Sequence, residues 1–261
     1  MKVVLISIIL LTSVCIYAQT DDKETLKNLN QSVVSSYKKG DFSDAKKFAQ
    51  QVLDLTVKVF GNESFEAAAA HSNLGIILRE SKDYKESVVN LKRAVEIYQK
   101  MPASKNQRLS DAIETLAFSQ TLSGEKQEAE VNYLLAVETA EKQFGKGSKE
   151  SFSPILNTAN FFAQSKNFER ADEFYLKSYE VAAKAYGKQG KEFEEIENSR
   201  ACLTTPPGNV NNQKQFAEER KKIIGENPEQ GGIINAKTKY LPPPKYPSEA
   251  RKQRLGGRVP M

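Results

Sequence analysis

The chain has 261 residues, yet it holds one histidine, two cysteines and no tryptophan. One histidine excludes a multi-His metal centre, and two cysteines exclude both a Cys₄ zinc site and a disulfide framework. Charge of neither sign dominates, with 38 Lys+Arg against 33 Asp+Glu and a formal balance of +5. Long apolar runs are missing beyond the first residues. At 39% hydrophobic and 27% charged, the composition suits a packed core and is too polar for a multi-span membrane protein. Catalytic and phosphate-binding patterns are missing as well. Gly145-Lys146-Gly147-Ser148 has the letters of a P-loop in the wrong spacing. No Gly-x-Gly-x-x-Gly, His-Glu-x-x-His or Gly-x-Ser-x-Gly stands anywhere in the chain. His71 falls at a packing position with no catalytic partner, and the carboxylates follow helix-surface spacing. The expectation is a protein that is not an enzyme, with no catalytic residues, no cofactor and no metal.

What is present begins with a leader. Lys2 precedes the apolar run Val3 to Leu11, and Ala18 precedes Gln19. That order of charge, apolar core and small residue predicts a signal peptide over 1–18, cleaved after Ala18, and a periplasmic or secreted location. The alternatives are a retained anchor, for which the run is short, and lipidation at Cys15, whose preceding Thr12-Ser13-Val14 lacks the usual pattern. Cleavage would leave Cys202 as the one thiol, so no internal disulfide forms.

Internal repetition is the strongest signal. Gly40-Asp41-Phe42, Lys82-Asp83-Tyr84, Gly124-Glu125-Lys126 and Lys166-Asn167-Phe168 stand 42 residues apart, and Phe60-Gly61, Phe144-Gly145 and Tyr186-Gly187 keep the same register. Each unit reads as two helices around a short turn. Small residues recur in the first helix at Val33, Gly75, Ala117 and Ala159, and in the second at Ala45, Ser87, Ala129 and Ala171. Large residues follow the latter by four positions at Leu91, Tyr133 and Tyr175. Small-into-large pairing lets antiparallel helices nest.

Leu74-Gly75, Leu78, Ser87, Leu91 and Ala94, with Leu116-Ala117, Ala129, Tyr133 and Ala136, resemble the tetratricopeptide repeat. The 42-residue spacing, together with Val59-Phe60-Gly61 and Gln143-Phe144-Gly145, is similar to the longer repeats of kinesin light chains. The resemblance covers residues 24–187. It implies an all-α fold: a right-handed α-solenoid of four helix-pair repeats, closed by a capping helix over 191–198 with Phe193 and Ile196 inward.

Composition shifts after Cys202. Residues 201–261 hold 11 Lys+Arg and 5 Asp+Glu, against 26 and 28 over 19–200. The expected domains are therefore the leader over 1–18, the solenoid with its cap over 19–202, a linker with a short basic helix (Gln213 to Ile224) over 203–230, and a largely irregular basic tail over 231–261 with a short strand and helix. Gly231, Gly232, Asn235, Leu241-Pro242, Tyr246-Pro247, Ala250-Arg251 and Gly257 resemble the opening of a TonB-type C-terminal domain, cut short at Met261.

The resemblance implies a scaffold holding a protein or peptide ligand in a concave groove. From the repeat register, its contacts are Asn30, Tyr37, Ser72, Asn73, Ile76, Arg79, Glu114, Phe118, Asn157 and Asn160. Envelope proteins are among the expected partners. Nucleic acid is not expected at an extracytoplasmic address, and the basic tail suits contact with an anionic membrane. The alternative is a TonB-like envelope energy transducer, or receptor-interacting protein, with an incomplete C-terminal domain.

Overall fold

The computed structural model describes residues 2–102, 107–187, 191–201 and 217–223, with side chains over 21–102, 107–187, 191–200 and 217–223. The strand, helix and TonB-like segment expected over 231–261 lie outside the described residues, as does most of the linker. All elements within them are helical, as the repeat pattern predicts: α1 (Lys2–Lys39), α2 (Phe42–Phe60), α3 (Phe65–Glu80), α4 (Tyr84–Gln99), α5 (Leu109–Ser123), α6 (Lys126–Phe144), α7 (Phe152–Gln164), α8 (Phe168–Tyr186) and α9 (Lys191–Ala201). A 3₁₀ turn at Lys149–Ser151 leads into α7, and residues 217–223 form one further short helical segment. No helix among the described residues is long and apolar enough to cross a membrane.

The same turn joins the two helices of every pair. Asp41, Asp83, Glu125 and Asn167 each donate a backbone N–H to the carbonyl five residues back, on Ser36, Leu78, Gln120 and Phe162, at 2.8–3.0 Å. That bond, with a left-handed residue before it, is a Schellman ending. The left-handed residues are Gly40, Lys82, Gly124 and Lys166, with φ of 77°, 67°, 89° and 61°. Glycine takes this conformation without steric cost, whereas the two lysines are held in it by the fold. The next residue opens the second helix. Asp41 and Asn167 accept the N–H of Asp44 and Arg170 at their N-caps. Asp83 makes no such cap; its carboxylate instead accepts from Lys46 Nζ at 2.9 Å, which ties α2 to the start of α4.

The chain forms two compact units, Met1–Ala129 and Glu130–Met261. In the first, α1 packs on α2, α2 on α3, α3 on α4 and α4 on α5. Leu26 and Val33 of α1, Ala45, Ala49, Val52 and Leu53 of α2, and Ala70, Leu74, Ile77 and Leu78 of α3 form one continuous core. Ala45 and Ala117 are fully buried, as are Ser87 and Leu91. Ser87 donates its hydroxyl to the Gly75 carbonyl at 2.7 Å and lies 3.0 Å from the Ser119 hydroxyl, so one polar group links α3, α4 and α5 without an unmet bond.

In the second unit, α7 packs on α8 and α8 on α9. Its core combines aliphatic side chains, among them Ile155, Leu156 and Val181, with clustered aromatic rings. Tyr133 meets Phe161 at 5.0 Å, and Phe162 stacks on Phe174 at 5.7 Å. Ala159, Ala171 and Tyr175 are fully buried. Phe193 and Ile196 of α9 are buried too, so α9 covers the last pair as expected. Arg200 on α9 donates to Asp172 on α8 at 3.1 Å.

Candidate functional site

The ten positions expected from the repeat register to face a ligand fall on the first helix of each pair. Within the first unit these positions lie on α1, α3 and α5. Tyr37 packs edge-on against Phe42 at 5.6 Å, so it belongs to the α1–α2 turn as well as to the face. Asn30 donates its amide to the Leu26 carbonyl, one turn earlier, at 2.8 Å. On α3, Ser72, Asn73 and Ile76 are each half-buried. Arg79, one turn further along, is only 7% exposed. Its guanidinium lies 4.8 Å from the centre of the Phe118 ring on α5 and pairs with Glu80 at 3.0 Å. A guanidinium over an aromatic face, partly desolvated, is attractive by roughly 0.5–2 kcal/mol. Glu114, also expected on this face, is 1% exposed. The α3–α5 face is therefore built from one cation–π pair that joins neighbouring repeats, with amide and aliphatic side chains beside it.

In the second unit, α7 carries Asn157 and Asn160. Asn157 donates to the Ser153 hydroxyl at 3.3 Å. Asn160 accepts the Tyr175 hydroxyl at 2.8 Å, which ties α7 to α8. Asn73 and Asn157 hold equivalent register positions, as do Ile76, Phe118 and Asn160. Register placed all ten residues on first helices. It did not separate those that are half-open, such as Asn73 and Ile76, from those committed to packing, such as Glu114 and Arg79. Burial of a helix face depends on what lies across from it, and no single-helix periodicity records that.

A different cleft, of about 1010 Å³, opens between Glu63, Phe65, Glu66, Ile97, Met101 and Arg108, at the base of α3 and the α4–α5 connection. Arg108 lies 5.7 Å over the Phe65 ring, and Tyr98 meets that ring edge-on at 5.5 Å. Burial pushes the Tyr98 hydroxyl up to about 12, against the opposing pull of Arg108. Sequence reasoning missed this cluster. Its signal was the replacement of the recurring aromatic-Gly end by Pro102-Ala103 in the second repeat. No group of three metal-ligating side chains occurs among the described residues.

Paired helices in a 42-residue register, with a half-open first-helix face, define a helix-pair repeat protein. Residues 24–100 match the family model described as Tetratricopeptide repeat. Among solved structures, two forms of a kinesin-light-chain-type protein of Podosopora anserina with nearly identical TPR-like repeats are similar to this chain. Their TM-scores are 0.63 and 0.60, at 16% identity, over 76% of this chain and 94% of theirs. BtubC (BKLC) from P. vanneervenii is similar with a TM-score of 0.52 at 18% identity, over 75% of this chain and 73% of that one. At such identities the likeness establishes the fold, an α-solenoid of tetratricopeptide type. No curated protein matches the chain. Tetratricopeptide repeats are in general protein-interaction scaffolds that bind protein or peptide partners, and typically they are not enzymes.

Proposed function

We propose that this protein is a non-enzymatic, extracytoplasmic scaffold that binds an extended protein or peptide segment along the first-helix faces of its repeats. The observation that carries the reading is the α3–α5 face, where half-buried Asn73 and Ile76 adjoin the Arg79–Phe118 pair. Amides satisfy an extended backbone, and the apolar neighbours take its side chains. The address is read from the leader over 1–18, which makes envelope proteins the partners of choice and gives the basic tail an anionic membrane to meet. Four segments follow from it: leader 1–18, repeats and cap 19–202, linker 203–230 and tail 231–261. The TonB-like alternative draws on the sequence pattern of the tail alone, and the comparisons do not support it.

Peptide-library selection on the full chain tests the binding. Selected peptides should lose at least tenfold in affinity with Asn73→Ala/Ile76→Ala, while thermal melts confirm the fold. An unchanged affinity, or its loss through Val89→Ser on α4 instead, would count against this face. The address is tested by expressing the full chain in a bacterium and sequencing its N-terminus, with Gln19 expected first and Met1 the contrary result.

A further inference from the structure

The last helical segment, 217–223, falls within the basic stretch read as a short helix from sequence. Its burial is one-sided: Glu219, Arg220 and Ile223 are half-buried, while Ala217, Glu218, Lys221 and Lys222 are exposed. Spacing of one and four residues places the covered side chains on one face. Arg220 is the residue that explains the covering. Its guanidinium lies 5.4 Å from the centre of the Tyr179 ring on α8 and pairs with the carboxylate of Glu197 on α9.

Tyr179 is fully buried. One neighbour of its ring is Phe193 of α9 at 5.7 Å, and another is the Arg220 guanidinium. The two partners of Arg220 match its chemistry. A planar guanidinium stacks on an aromatic face and at the same time donates to a carboxylate, which an ammonium does less well. Glu197 comes from the same acidic run as Glu194 and Glu195, so the local field also favours a cation. Burial, with the Glu197 charge beside it, holds the Tyr179 hydroxyl well above its ordinary range, consistent with a site that has lost water.

We infer that Tyr179 and Glu197 form an arginine-receiving site at the C-terminal end of the second unit, and that the chain's own Arg220 fills it, strapping residues 217–223 across α8 and α9. The strap does what a terminal repeat requires, which is to cover an apolar layer with a polar outer face. It adds to α9 a second closure held mainly by one side chain. This inference stands apart from the proposed ligand face, since none of its residues lies on a first helix.

Amide hydrogen exchange on the full chain tests it. Residues 217–223 should exchange at least tenfold more slowly than an unstructured peptide of the same sequence. Arg220→Ala should bring them within about twofold of that peptide while α7 and α8 keep their protection, because the substitution lies outside the repeats. Arg220→Lys, which keeps the charge and loses the planar fork, should leave less than half of the wild-type protection. Peptide-like exchange of 217–223 in the wild-type chain would overturn the inference. So would full protection in Arg220→Ala, and full protection in Arg220→Lys would overturn the arginine specificity.

Discussion

A methyl group on the Gly75 Cα would stand 2.6 Å from the Leu91 Cγ. Gly75 lies mid-helix in α3, and Leu91 is fully buried on α4. The branch point of Leu91, rather than a flexible tip, fills the space a side chain would take, so α3 and α4 approach on a glycine. Gly75→Ala gains up to about 1 kcal/mol in helix propensity and loses more through overpacking. The expected net loss is on the order of 1–2 kcal/mol in urea unfolding. Leu91→Ala makes room for the new methyl, so the double mutant should be more stable than the sum of the two single changes predicts.

The left-handed lysines make the opposite prediction. Lys82 and Lys166 hold φ of 67° and 61° in turns where the other two repeats use glycine. A non-glycine residue in this region costs roughly 1–2 kcal/mol, and glycine gives back part of that through its freer unfolded chain. Lys82→Gly and Lys166→Gly should each stabilise by about 0.5–1 kcal/mol, read as a higher melting temperature. A lower one would show that the lysine side chains matter more than the backbone.

Arg79 and Phe118 should be energetically coupled. A double-mutant cycle with Arg79→Met and Phe118→Leu keeps most of the apolar volume and removes the charge and the ring. The coupling expected is about 0.5–2 kcal/mol, with little dependence on salt because Arg79 is buried. A coupling within error of zero would mean that the two side chains pack without specific attraction, and the proposed ligand face would lose its central element.

Glu195 on α9 should make stability depend on pH in a stated direction. Burial, then the Glu192 charge, raises its carboxyl above the ordinary carboxylate range. A raised folded-state value means that the folded chain binds this proton more tightly than the unfolded chain. Its stabilising contribution is present below the unfolded value, about 4.5, and is lost as pH rises through the folded value. At pH 7 the ionised group therefore disfavours folding. Glu195→Gln should raise the melting temperature at pH 7, and the difference should disappear below about pH 4. An equal gain at both pH values would refute the titration and leave only a packing effect.

The 42-residue register alone dictated the helix pairs, their order, the turns at Gly40, Lys82, Gly124 and Lys166, and the small positions at Ala45, Ser87, Ala129 and Ala171. These follow from chain-local physics: amphipathic spacing, turn chemistry and the need for small residues where helices touch. The inward residues of α9, Phe193 and Ile196, were legible for the same reason. Tertiary structure alone decided which first-helix residues stay open. Glu114 and Asn73 share the same sequence logic, yet Glu114 is 1% exposed and Asn73 half-buried, because exposure depends on the neighbouring helices. It likewise decided that Asp83 serves Lys46 rather than capping its own helix, and that Arg220 reaches Tyr179 and Glu197. Each of these contacts joins side chains far apart in the chain, and periodicity within one helix carries no information about what arrives from another.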